Sequence, residues 1–299
     1  MKKLSYLFII ISVFYFYNTS FSATTQNNAI SQLNLGVMYY KGQGVPQDYF
    51  KAAELFSKAA NQGEAKAQYN LGIMYCAGHG VPQDYLKAAE LFSKAANQGL
   101  SDAQVNLGLM YYKGQGVPQD YLKAEELFSK AANQGEAKAQ FGLGLMYENG
   151  QGVPQDYFKA AELFSKAANQ GLSEAQADLG LMYHDGQGVP QDYLKAEELL
   201  SKAANQGEAK AQFGLGVMYH EGQGVPQDYF KAAELLSKAA NQGVAQAQYN
   251  LGLMYYEGQG VPQDYFKAAE LLKKSCLNKF QAGCNSYEIL NKNATHPSL

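Results

Sequence analysis

The chain has 299 residues, a formal net charge of −3 and 24 basic side chains, all of them lysine. A nucleic-acid partner is excluded, because phosphate-backbone binding needs a clustered basic surface and base reading leans on arginine; the missing arginine also removes the bidentate clamp for carboxylates and phosphates. At this length an ordinary globular chain would divide into about two domains, but a strict internal period replaces that expectation with one elongated array.

In chain order, Lys2 and Lys3 precede an apolar stretch from Leu4 to Tyr17, and Ser20-Phe21-Ser22 puts small residues ahead of Ala23. That is the pattern of a cleaved secretory signal peptide. An uncleaved anchor is the competing reading; it needs roughly 20 apolar residues, and this run is shorter and ends in Asn18-Thr19-Ser20. Residues 1–22 are therefore read as a signal peptide and 23–28 as the leader of an exported mature chain, periplasmic or secreted, with no stable membrane insertion. No Cys follows the apolar run to carry a lipid.

From there the phrase Gly-Val-Pro-Gln-Asp-Tyr returns with its proline at Pro46, Pro82, Pro118, Pro154, Pro190, Pro226 and Pro262, a spacing of 36 residues. A fixed period in this range marks a solenoid, in which stacked neighbours share a continuous core. Each unit holds two helices. In the first, A, the residues Ala67, Leu71, Met74, Tyr75 and Gly78 keep the rhythm of one helical face; in the second, B, Ala88, Leu91, Phe92, Ala95 and Ala96 do the same. Asp84 stands where an N-cap belongs, after a proline that cannot lie inside a helix. Gly99 stops helix B, and Gly78 and Gly80 stop helix A. Ser101-Asp102-Ala103-Gln104 and Ser173-Glu174-Ala175-Gln176 read as capping boxes opening two A helices. Gly72 and its equivalents interrupt every A helix at a cost of about 1 kcal/mol each, which predicts close backbone contact between helices. A phosphate-cradling role for the glycines is set aside, since no strand precedes Gly-x-Gly-Val-Pro.

Three phrases recurring in order, Ala-Gln-Tyr-Asn-Leu-Gly-x-Met-Tyr, Gly-x-Gly-Val-Pro-Gln-Asp-Tyr and Lys-Ala-Ala-Glu-Leu-Phe-Ser-Lys-Ala-Ala-Asn-Gln-Gly, resemble the Sel1-like repeat over about residues 29–279. The resemblance implies an all-α fold: a right-handed α/α superhelical solenoid of about seven 36-residue helix-turn-helix repeats, related to tetratricopeptide repeats, with A helices on the concave side. A degenerate capping helix over 280–292 and a tail over 293–299 follow. It also implies an adaptor or host-contact role, or, for a cysteine-rich subgroup, penicillin binding with weak β-lactamase activity. Cys276 and Cys284 occupy the places of Ala60 and Gln68, which an antiparallel turn brings face to face, and their spacing is similar to that of the subgroup, where it forms a disulfide. The oxidising compartment of an exported chain suits this bridge, and a terminal repeat with one neighbour needs such fastening. Cys76 is too distant to join either; it is a small half-buried residue or a thiol open to intermolecular pairing.

Between near-identical copies, the A-helix positions that differ are chiefly the equivalents of 69, 70, 76 and 77, which project onto the arc away from the apolar face. The candidate ligand-binding residues lie there: Tyr69, Phe141, Phe213 and Tyr249 at the first position, and Tyr40, Tyr112, His184, His220 and Tyr256 at the third. Aromatics beside polar and charged groups suit a protein or peptide ligand; packing against adjacent repeats is the alternative for any one of them. His184 and His220, each followed by an acid, could share a metal or simply be solvated rungs. No Ser-x-x-Lys, His-Glu-x-x-His or Gly-x-Ser-x-Gly occurs. The expectation is a monomeric, non-catalytic binding protein without cofactor or metal.

Overall fold

The computed structural model describes residues 27–295. The segment read as a signal peptide, 1–22, lies outside the described residues, as do the leader up to 26 and the last four residues of the tail. Fifteen helices and no strand occur among the described residues. They are α1 (27–41), α2 (Tyr49–Asn61), α3 (Ala65–Ala77), α4 (Tyr85–Asn97), α5 (Ser101–Lys113), α6 (Tyr121–Asn133), α7 (Ala137–Asn149) and α8 (Tyr157–Asn169). There follow α9 (Ser173–Asp185), α10 (Tyr193–Asn205), α11 (Ala209–Glu221), α12 (Tyr229–Asn241), α13 (Ala245–Glu257), α14 (Tyr265–Leu277) and α15 (Gln281–Thr295). Odd-numbered helices are A, even-numbered ones B, and the fold is an all-α repeat solenoid. It resolves into two compact units: unit 1 holds residues up to 142 with 151–153, unit 2 holds 143–150 and everything from 154 onwards.

Local chemistry accounts for each helix end. The Asp84 carboxylate accepts from the Lys87 backbone N–H at 3.0 Å, and Asp48, Asp120, Asp156, Asp192, Asp228 and Asp264 cap their B helices in the same way. The Lys87 N–H, followed by the Lys87 side chain, holds the Asp84 carboxyl below its ordinary range against an opposing effect of burial. Helix α4 is capped by Gln98, and Gly99 at φ +89° lets Leu100 N–H return to the Ala95 carbonyl at 3.2 Å. Gly80, also at positive φ, lies so close to the Tyr49 carbonyl of the preceding repeat that a Cβ has no room.

Two sequence expectations are corrected. Ser101 and Ser173 are already inside α5 and α9; the N-caps are Leu100 and Leu172, with no side-chain cap bond. The tight Asn-Gln-Gly turn brings residue 100 itself to the cap position, and Gln104 donates instead to the Ala96 carbonyl at 3.3 Å. The recurrent glycine of helix A makes room for a side chain, not a backbone: a Cβ on Gly72 would sit 2.7 Å from the Phe92 ring.

In unit 1 the core alternates Ala-rich B faces with Phe56, Phe92 and Phe128 against Leu71, Leu107, Met74 and Met110 of the A helices. In unit 2, Leu200 and Leu236 hold the corresponding place against Leu215, Met218, Leu251 and Met254. Each such buried side chain contributes about 1.5–3 kcal/mol. A buried glutamine at the start of the six A helices from α3 to α13 adds a polar rung: Gln68 donates to the Ala60 carbonyl at 3.2 Å and accepts from Gln98 at 2.8 Å. At the C-terminal end, Cys276 and Cys284 are bridged, tying α15 to α14, and Lys279 at φ +66° replaces the turn glycine.

Candidate functional site

The outward arc of the A helices was read as a groove lined by the variable positions, and much of that lining turns out to be spent on packing. Tyr69 is half-buried, its ring 5.7 Å from that of Phe92 and its hydroxyl reached by the Asn106 amide at 3.4 Å. Burial, with the Asp102 charge second, pushes the Tyr69 hydroxyl up from its usual range. Phe213 packs on the α12–α13 core, and Tyr249 meets Phe280 at 5.4 Å. Phe141 is half-buried, and its neighbour Gly142 leaves space for the Phe128 ring.

The third variable position works as a clasp. Tyr40, Tyr112, His184, His220 and Tyr256 each turn a ring toward the first tyrosine of the following B helix, with centroids 5.3 or 5.4 Å apart. Three of them also reach the loop glutamine of the next repeat: the Tyr112 hydroxyl donates to Gln151, while His184 Nε2 lies 2.7 Å from Gln223 and His220 Nε2 lies 3.1 Å from Gln259. His184 Nδ1 is 2.6 Å from Asp185. The histidines are thus engaged one repeat apart, each with its own glutamine, and no group of three metal-ligating side chains with suitable geometry occurs among the described residues. Two copies lack the clasp. Cys76 is half-buried and burial pushes its thiol up, away from thiolate. Glu148 is half-buried beside Asp178, and burial first, then that neighbouring charge, raises its carboxyl, with Lys210 opposing. Asp178 itself is buried and paired with Lys210 at 2.5 Å.

What remains open to solvent is the last helical position, the equivalent of 77. In unit 1 it carries Lys41, Ala77 and Lys113; in unit 2 it carries Asn149, Asp185, Glu221 and Glu257, all exposed. Glu221 and Glu257 rim a cavity of about 200 Å³ together with His220, Asn250, Leu253 and Gln259. A second cavity of about 150 Å³ shares Leu253 and is otherwise lined by Tyr256, Leu272, Ser286, Ile289 and Leu290. Sequence reading placed position 77 on the arc but passed over its change of sign along the chain. It also missed a second exposed feature: the second residue of every B helix is a bare apolar side chain, from Leu86 at 58% exposed to Phe266 at 92%. The signal was available, because these residues stand off the 88, 91, 92, 95, 96 rhythm yet are Phe or Leu in all seven copies.

Stacked helical hairpins that expose side chains along one face define a repeat scaffold of the protein-interaction class. The Sel1 repeat profile matches seven consecutive segments, 29–64, 65–100, 101–136, 137–172, 173–208, 209–244 and 245–280, so the chain belongs to the Sel1 repeat family. Among solved structures it is similar to a protective antigen of uropathogenic Escherichia coli strains, with 37% identity and a TM-score of 0.75 over 88% of this chain. It spans 56% of the length of that antigen. A Sel1 repeat protein from Oxalobacter formigenes is 39% identical with a TM-score of 0.70, over 88% of this chain and 76% of that one. No curated protein is matched. No helix among the described residues is long and apolar enough to cross a membrane.

Proposed function

We propose that the protein is an exported, monomeric scaffold that binds protein or peptide ligands along the A-helix face of its repeats and catalyses no reaction. The observation that carries this reading is the contrast between the two helix types. On six B helices a glutamate is paired with the lysine four residues on, as in Glu54–Lys58, Glu126–Lys130, Glu162–Lys166 and Glu234–Lys238, whereas the A helices present differing side chains, several without a lysine partner, on a repeated backbone. Repeat scaffolds bind by such extended faces. The half-buried rings at positions 69 and 76 set the shape of that face, and the side chains at 66 and 77 supply its chemistry. Export rests on the signal-peptide pattern of residues 1–22 and on the Cys276–Cys284 bridge, which suits an oxidising compartment. The mature chain then begins at Ala23, with the solenoid over 29–279, its cap over 280–292 and the tail beyond. The similarity to a bacterial antigen agrees with a surface or secreted setting.

Photo-crosslinking tests the face. A photoreactive residue placed at Lys113 or Glu221 should capture a partner in envelope or culture-medium extracts, and one placed at Lys58 or Lys94 on the B helices should not. Capture from the B positions alone would overturn the assignment. Intact mass of protein recovered outside the cytoplasm, expected to begin at Ala23, tests export separately.

A further inference from the structure

We infer that the C-terminal end of unit 2 holds a two-part peptide site, which takes a large apolar side chain next to a lysine or arginine of a partner segment. The inference deepens the scaffold reading above and rests on it. The apolar part is the cavity of about 150 Å³ under Tyr256 and Ile289, floored by Leu253, Leu272 and Leu290; an apolar cavity of about this size accepts a benzene ring. Its rim is open to solvent among the described residues: Ile289 is 60% exposed and Tyr256 41%.

The cationic part adjoins it across Leu253, where Glu221 and Glu257 stand at the rim of the second cavity. Neither carboxylate has a lysine partner among the described residues, although six B-helix glutamates in the chain hold a lysine four residues on. No lysine lines either cavity. His220 at the same rim is turned to Gln259, its Nε2 3.1 Å from the amide oxygen. An apolar pocket bordered by two unpaired carboxylates selects a segment in which the hydrophobic anchor and the positive charge are close together, and disfavours acidic segments by like-charge repulsion.

The test is a random heptapeptide display selection on the immobilised mature chain. Enriched peptides should combine Phe, Leu or Ile with Lys or Arg within three positions, and a synthetic peptide of the enriched sequence should bind at least tenfold more weakly when salt rises from about 50 to 500 mM. Glu221→Lys with Glu257→Lys should weaken it at least tenfold, and so should Ile289→Asp alone. These side chains are exposed, so the variants keep the wild-type helical circular dichroism; Lys94→Glu, on the exposed B-helix surface of unit 1, should leave binding unchanged. Enrichment of acidic or purely apolar peptides, no enrichment, or indifference to both variants would overturn the inference. Partner crosslinking through Lys113 would survive that failure, and its absence would count against the scaffold reading instead.

Discussion

The two units share a backbone and differ in what they build on it. In unit 1 the B helices fill the core with Phe56, Phe92 and Phe128, and the A helices end in Lys41, Ala77 and Lys113. Unit 2 keeps only Phe164 of that series and continues with Leu200, Leu236 and Leu272, while its helices α7, α9, α11 and α13 end in Asn149, Asp185, Glu221 and Glu257. N-cap aspartates and loop prolines are the same in both, and so are the positive-φ glycines up to the last turn, where Asn278-Lys279 stands in place of Gln-Gly. The frame is therefore set by helix ends and turns, and both core volume and face charge are free to vary upon it, as expected where each repeat is a separate hairpin stacked on its neighbours.

The largest effect should come from emptying the core on each side of this comparison. Phe92→Ala should cost about 3–5 kcal/mol and Leu236→Ala about 2–5 kcal/mol. Because repeat arrays need not unfold in one step, the measurement is amide hydrogen exchange: protection should fall mainly in α3–α5 for the first and in α11–α13 for the second. Uniform loss throughout the chain would show that the units are not energetically distinct. Next, reduction of Cys276–Cys284 should cost ~2–3 kcal/mol, seen as lost protection in α15 and unchanged exchange in unit 1.

A smaller effect distinguishes the two cores through the same glycine. A Cβ on Gly72 would meet the Phe92 ring at 2.7 Å, whereas one on Gly252 would meet Leu272 at 3.1 Å. Alanine recovers about 1 kcal/mol of helix propensity, so Gly252→Ala should be close to neutral in thermal unfolding and Gly72→Ala should destabilise by about 1–3 kcal/mol from overpacking. Equal effects would mean that ring shape does not explain the glycine.

The helix pairs, their caps and their turns were legible because each depends on neighbours within one unit: Asp84 caps the turn it begins, and Gly99 ends the helix it follows. The site was less legible for a physical reason. Projecting one A helix places Tyr69 and His184 on the outward arc, but an isolated helical wheel omits the repeats on either side. Those neighbours cover Tyr69 with Asn106 and engage His184 with Gln223. The capping-box reading of Ser101 failed similarly, since a turn closed by the preceding helix decided which residue became the cap. Only the side chains that stack past the reach of a neighbour, such as Lys113 and Glu221, stay outward in fact as well as in projection.

The finest contrast is electrostatic and opposite in sign at two kinds of carboxylate. Asp48 and Asp84 in unit 1 are held below their ordinary range by backbone N–H groups, so the stability they contribute is present above the unfolded value and lost as pH falls through the folded one. Glu148 in unit 2 is held above its ordinary range, chiefly by burial and then by Asp178. Its protonated form is the one favoured in the fold, so its contribution is present at low pH and is lost as pH rises through the folded value. Lowering pH through the raised titration of Glu148 should therefore raise local protection around α7–α9, before the lowered cap carboxylates of unit 1 begin to lose their charge. Glu148→Gln should give the same gain at pH 7, below about 1 kcal/mol because the side chain is half exposed, and should flatten the pH dependence of exchange in that segment. A retained pH dependence in the Gln variant would assign the effect to another group.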